Sequence, residues 1–400
     1  MNKYVHGRFV LALAASILLP TLCLGVGFRL PNQDPEALSR GNAFAATADN
    51  PSAIYYNPAG ITQLEGQNLQ FGLYSIVVNS RYRSPRGDSA ETKLELQNAP
   101  QLYYTYAQKD KPYTLGLGMY APYGLGLQWP GDSGFRTISR EARLMYASIN
   151  PVIAWQVSPT LSLAAGPTIN IAQAQLRTGI AVANPNDQFA FRGEGMGLGF
   201  NAGLLWRPTE QWALGLNYRG PTEIEFIGRS HARPYLPREK TSGSIEFPQY
   251  AVVGLSYRPN KNWNIEADVD YTDWDVFNAV TFRKNSGPST VEFNFKPSLM
   301  YEIGVTRSLD RGYAVSAGYF FAESSTPNRN FNPSVPDTDQ HSLSLGLSRS
   351  QASWKWAVTY QVLFGPWRTV TGSQSATPES ADGKYRFFNN AINISINHRF

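Results

Sequence analysis

The sequence predicts an all-β fold, a 14-stranded antiparallel transmembrane β-barrel whose lumen is plugged by an N-terminal helical hatch. Three observations predict it. Short polar connections flanked by aromatics recur about every 50 residues, each pair separated by one longer polar segment. The stretches between them alternate apolar and polar with period two. Their apolar faces begin or end in Trp or Tyr beside the turns, as an aromatic girdle at a membrane surface does.

The N-terminus comes first. Lys3 and Arg8 precede the apolar run "FVLALAASILLPTLCLG", which ends in the small residues Cys23 and Gly25. That pattern reads as a secretory signal peptide over residues 1–25. Leu22 fits poorly with a lipoprotein signal at Cys23. A mature chain cut there has no cysteine and relies on no disulfide. Its formal charge falls from +5 to +3 with the loss of Lys3 and Arg8. That is too little to suggest a nucleic-acid partner. No later stretch holds 18 consecutive apolar residues, so no transmembrane helix is expected.

Residues 26–65 follow another logic. "DPEALSR" offers Asp34 as a helix N-cap, Pro35 at the first helical position and Glu36 in the first turn. Asn50-Pro51 and Asn57-Pro58 repeat the device. Each helix is too short to stand alone in water and needs packing from outside. The nearest enclosed space is the barrel lumen. A flexible linker is the alternative, but one would hardly carry Phe44, Ile54, Tyr55, Tyr56 and Ile61.

Residues 66–400 then supply the strands. In "WNIEADVDY", Trp263, Ile265, Ala267, Val269 and Tyr271 share one face, opposed by Asn264, Glu266, Asp268 and Asp270. "HSLSLGLS" and "WKWAVTYQVLF" alternate likewise. A soluble sandwich also alternates. Three carboxylates on one inward face suit a wet bore instead, and short turns on one side with long loops on the other suit an outer-membrane barrel. The short connections are 107–113, 155–161, 206–212, 257–263, 307–313 and 348–354. The long ones include 130–140, 178–191, 229–241, 283–289, 322–340 and 366–385. An even strand count places both ends on the periplasmic side. The terminal Phe400, on the alternating stretch "NNAINISINHRF", resembles the signal read by the barrel-assembly machinery.

The stretch "GFRLPNQDPEALSRGNAFAATADNPSAIYYNPAGI", residues 27–61, resembles the N-terminal hatch of FadL-type outer-membrane transporters. The glycine-centred small residues around Gly41, the motif Asn57-Pro58-Ala59, and "YAPYGLGLQW" over 120–129 carry the resemblance. It implies passive carriage of hydrophobic compounds, such as long-chain fatty acids or aromatic hydrocarbons, across the outer membrane. It implies capture among the outer loops and a second site inside the barrel against the hatch. A movement of the hatch then opens a way out at a kink in the third strand. A monomer in contact with membrane lipid and lipopolysaccharide is expected.

The residues bear on that mechanism directly. Pro122 cannot donate to a sheet ladder, and Gly124 and Gly126 weaken the strand around Tyr123. Unpaired backbone facing lipid costs several kcal/mol per group, roughly, unless a polar partner meets it. A lateral opening at Pro122, Tyr123, Gly124 and Gly126 follows, with a bulge that opens nothing as the alternative. Apolar side chains of the plug, of "FRGEGMGLGF" and of "IEFIG" could line a cradle for a greasy solute. For a fatty-acid carboxylate, Arg219 and Lys296 face the lumen by strand parity, and Arg177 is a third candidate. Lumen acids are their more ordinary partners. No catalytic residues, cofactor or metal site are expected. Only His231, His341 and His398 remain in the mature chain, none in a nucleophile arrangement. A porin for small polar solutes is the first rival reading, ahead of a structural or adhesive barrel and an outer-membrane hydrolase.

Overall fold

The computed structural model describes residues 27–400, and the leader read over residues 1–25 lies outside the described residues. The chain forms a closed 14-stranded antiparallel barrel. The first strand, Gly66–Val78, pairs with the second, Glu95–Ala107, and also with the last, Gly383–Arg399. That second pairing, from Asn68 opposite Arg399 to Val77 opposite Asn390, removes the sheet edge. No helix among the described residues is long and apolar enough to cross a membrane; the crossing is done by strands.

Alternation sets the two faces. On the ninth strand, Trp263–Thr272, the Trp263, Ile265, Val269 and Tyr271 side chains are exposed to the outside. Glu266, Asp268 and Asp270 are buried inside. The expected long connection over 229–241 is instead a hairpin. Thr222–Arg233 and Leu236–Phe247 carry the ladder outward beyond Ile227 opposite Ser242. Its residues are polar because that part of the wall stands clear of lipid, and polarity there imitates a loop. Period two also divides "FRGEGMGLGF", whose apolar side chains are expected to line a cradle. Strand Gln188–Trp206 turns Phe191 inward, while Met196, Leu198 and Phe200 face outward, 64%, 71% and 49% exposed.

The plug fills the bore. A short helix, Pro35–Ser39, is capped by Asp34, whose carboxylate accepts the amides of Glu36 and Ala37. A second, Ala53–Tyr56, follows a turn in which the Asn50 side chain accepts the Ser52 amide. A 3-10 helix, Pro58–Gln63, starts at Asn57, whose side chain accepts the Ala59 amide. Phe44, Ile54, Tyr55, Tyr56, Asn57, Pro58, Ala59 and Ile61 are all buried. The apolar ones pack with the wall residues Tyr103, Tyr120, Val152, Leu205 and Tyr250 into one cluster. Glycines on the wall give the plug its seat. A Cβ on Gly304 would lie 2.3 Å from the Arg40 carbonyl oxygen, and one on Gly318 would lie 2.0 Å from the Arg40 carbonyl carbon.

Candidate functional site

Above the plug lies a cavity of about 700 Å³. Its walls are apolar: Ala142 and Leu144 on the fourth strand, Glu141–Ser158, and Ala174 and Leu176 on the fifth, Leu161–Thr178. Phe189, Phe191, Phe226, Phe277, Phe282 and Phe293 add rings. Phe331 and Val335, from the loop after the eleventh strand, Tyr313–Ala322, complete it. The arm that precedes the plug contributes Phe28, whose ring lies 4.6 Å from Trp274 and 5.2 Å from Phe277, centroid to centroid. The volume lies inside the range of roughly 300–1,000 Å³ usual for small-molecule sites.

The third strand is broken in two, Tyr113–Tyr120 and Gly124–Gln128. The lower piece pairs with the second strand from Leu102 to Ala107. The upper piece forms its ladder with the fourth strand, from Glu141 to Met145, and meets the second strand's side again at its outer end, where the Lys93 amide donates to Gln128 O at 2.8 Å. Second and third strands therefore part company at the level of Pro122. The arm meets the freed groups there. The Leu30 amide donates to the Pro122 carbonyl at 2.8 Å, and the Gly124 amide donates to the Phe28 carbonyl at 2.9 Å. The Gln33 side chain donates to Ala121 O at 2.7 Å and accepts from Ala121 N at 3.3 Å. Higher up, the Gln97 amide group of the second strand donates to Gly126 O at 2.6 Å. Tyr123 is buried and donates its hydroxyl to Pro248 O. The residue types that forbid a regular ladder thus stand beside the segment that replaces it.

The three inward carboxylates of the ninth strand hold the same N-terminal segment. Asp270 takes the Arg29 guanidinium through both oxygens, at 2.7 and 2.6 Å. Asp268 accepts the amides of Phe44 and Ala45. Glu266 accepts the amides of Ala46 and Thr47 and the Thr47 hydroxyl. Opposite, Asn57 donates to Ala45 O and to Leu204 O, pinning the plug to the sixth strand. Backbone amides of the plug are thus the partners of Asp268 and Glu266, and the arm's Arg29 is the partner of Asp270.

The cations singled out from the sequence occupy three different places. Arg219 is buried in the lumen, bonds the hydroxyls of Tyr120 and Tyr250, and makes no ion pair among the described residues. Arg177 points outward and pairs with Glu141 at 2.9 Å. Lys296 is exposed between ladder segments, and its amide bonds Ser325 O. None of the three lines the cavity. Two other cations do. Arg143 is held between Glu95 and Glu141, at 2.8 and 2.7 Å. Lys284, at the end of strand Ala279–Lys284, makes no ion pair among the described residues; its ammonium stands 5.3 Å from the centre of the Phe189 ring. Sequence reasoning missed Lys284 because it falls at the start of a connection expected to be a loop. It missed Phe28, Arg29 and Gln33 as wall-closing residues because their partners are far away in the chain. The one signal available was a lone arginine in an otherwise uncharged stretch.

A closed barrel with an apolar chamber above a seated plug, and a wall completed by the plug's own arm, is an outer-membrane transporter for hydrophobic compounds. The chain belongs to the outer membrane protein transport family that includes OMPP1, FadL and TodX, whose model matches residues 17–391. Relatives are distant but cover nearly the full length. The long-chain fatty acid transport protein of Escherichia coli K12 is 24% identical over 399 residues, 87% of this chain and 89% of that protein. Outer membrane protein P1 of Haemophilus influenzae is 22% identical over 397 residues, 83% and 86% of the two chains. In fold, the chain is similar to a Pseudomonas aeruginosa FadL homologue (TM-score 0.84, 17% identity, 94% and 100% coverage). The Ralstonia pickettii toluene transporter TbuX is also similar (TM-score 0.71, 18% identity, 92% and 98% coverage).

Proposed function

We propose that this protein takes up long-chain fatty acids by passive transport down their concentration gradient. The ligand is captured between the outer loops, settles in the apolar cavity and leaves sideways through the third-strand break when the arm withdraws. The observation that carries this reading is Phe28. Its ring forms part of the cavity, and its carbonyl closes the wall at Gly124. A ligand that displaces the ring also pulls on the closure, so occupancy and opening are coupled through one residue. A chain burying roughly 300 Å² of apolar surface in the cavity gains on the order of 7 kcal/mol at ~25 cal/mol per Å². That suffices to hold a greasy solute that stalls in a polar bore. A porin for polar solutes fits poorly with a bore occupied by the plug cluster.

The choice of fatty acid rests on Lys284, a cavity cation that makes no ion pair among the described residues, although its charge is felt by the Glu239 carboxylate. An uncharged aromatic hydrocarbon is the second reading, favoured by the ring-rich wall and by the fold's likeness to a toluene transporter. Uptake of labelled oleate and labelled toluene into cells with and without the protein separates the two. Faster oleate entry supports the first reading and faster toluene entry alone supports the second. If neither compound enters faster, the transport reading fails.

A further inference from the structure

The outer wall where first and last strands meet carries a cluster of cations apart from the cavity. Beyond the first strand, the segment Ser80–Arg83 continues to pair with the last strand, placing Arg81 opposite Arg386 and Arg83 opposite Lys384. On the last strand, Lys384 and Arg386 share the outward face with Ile392, Ile394 and Ile396. Two facing pairs of like charge on an exposed sheet surface are destabilising in themselves. Glu91 balances only Arg81, at 3.0 Å. Arg83, Lys384 and Arg386 make no ion pair among the described residues. The nearby Asp382 is occupied by the amides of Gly372 and Ser373, and Asp88 by Ser84.

The cations are also held in place. The guanidinium carbons of Arg83 and Arg386 each stand 4.9 Å from the ring centre of Trp367, so one indole positions both. Beside them a groove of about 430 Å³ is lined by Asn79, Arg81, Phe364, Arg386 and Phe388. It is cationic at one end and aromatic at the other.

Its height on the barrel follows from the strand. From Trp354 to Phe364 the thirteenth strand presents its outward apolar face. Ten steps of ~3.3 Å, tilted by ~40°, span about 25 Å along the membrane normal, the height of the apolar band. Phe364 and Phe388, paired across strands, mark its outer edge. Arg386 and Lys384 come two and four residues further out, at the level of lipid headgroups.

We propose that this surface binds a phosphate-bearing lipid of the outer leaflet, with acyl chain in the groove along Phe364 and Phe388 and the phosphate at the cationic end, on Arg386, which lines the groove, and on Arg83 and Lys384 just beyond it. Arginines suit the role because a guanidinium meets a phosphate through two parallel hydrogen bonds. A bound dianion would also remove the like-charge repulsion that the free surface carries.

The test uses the purified full barrel in detergent, titrated with bis-phosphorylated lipid A and with the same lipid stripped of its phosphates, read by native mass spectrometry. The wild type should bind one lipid A. The variant Arg83→Gln/Lys384→Gln/Arg386→Gln should bind it at least roughly ten-fold more weakly, as loss of charge-assisted bonds requires. The stripped lipid should lose at least as much, and millimolar inorganic phosphate should not displace lipid A. Heat-shifted gel mobility and unaltered hydrophobic-compound uptake identify a variant that is folded and intact. Equal lipid A affinity in the variant, or equal binding of the stripped lipid, overturns the proposal. Displacement by inorganic phosphate overturns the assignment to a lipid.

Discussion

Arg29 and Asp270 form a two-pronged ion pair, both side chains 2% exposed, that ties the arm at the third-strand break to the ninth strand across the lumen. Replacing Asp270 by Asn leaves the guanidinium buried without its counter-charge. Removing one partner of a buried pair costs about 3–5 kcal/mol, all of it set against the seated arm. We expect Asp270→Asn to raise single-channel conductance in planar bilayers several-fold. Arg29→Met/Asp270→Leu, which leaves no stranded charge, should leak less than the single variant. An Asp270→Asn barrel as quiet as wild type would mean that the arm is held without this pair.

The plug's seat gives a second prediction. Valine at Gly304 or Gly318 puts a Cβ within 2.3 Å or less of the Arg40 backbone, which has no room to retreat. The barrel ladder itself does not need those glycines. Gly304→Val and Gly318→Val should therefore assemble into heat-resistant barrels yet conduct ions, because the plug sits ajar. Failure to form a folded barrel at all would show instead that plug and wall fold as one unit.

Alternation in "WNIEADVDY" was readable because one face meets lipid and the other the bore, and the caps at Asp34 and Asn57 because they act within three residues. The arm's role was not readable, since Phe28 and Leu30 find partners near residue 123, about 90 positions on in the chain. Parity assigned Lys296 to the lumen, but the chain leaves the ladder between Glu292 and Ser298, and parity lapses there. Arg177 shares the outward parity of Ile171 on a strand whose even-numbered residues face in. The long connection over 229–241 was misread because a strand above the membrane loses its apolar face.

On the fatty-acid reading, Lys284 meets the carboxylate of the solute. A hydrogen bond to a charged group contributes about 1.5–3 kcal/mol, or roughly ten- to hundred-fold in affinity. Lys284→Met should weaken oleate binding by that factor at low concentration while leaving toluene untouched. Equal loss for both ligands would point to a packing role for the lysine stem.

Two loops of the cavity are clasped at their outer side. Arg136 donates to Asp187 at 2.9 Å and to the Ala181 and Asp187 carbonyls, while the carboxylate accepts the amides of Ile180 and Ala181. Desolvation pushes the Asp187 carboxyl up, but these amides and the guanidinium outweigh it and hold it below its ordinary value. A depressed carboxyl lends stability above its unfolded pKa, ~3.9, and loses it as pH falls through the lower folded value. Limited proteolysis at residues 179–187 should be slow at pH 5 and quicken only below about pH 4. Asp187→Asn should be cut quickly at both. Equal protection of the variant would separate the clasp from loop order.

The lateral route rests on the third-strand break, and the sequence change that tests it is local. Valine at both Pro122 and Gly124 restores an amide at the first and a strand-favouring side chain at the second. The second strand can then extend its ladder upward from Leu102, in competition with the arm. A continuous wall leaves no side exit even when the arm withdraws. Oleate should still bind the purified Pro122→Val/Gly124→Val barrel with near wild-type affinity, since neither residue lines the cavity. Its uptake into cells should fall at least several-fold. Binding retained together with uptake lost places the block after capture, whereas undiminished uptake sends the solute down the bore past the plug and removes the break from the path.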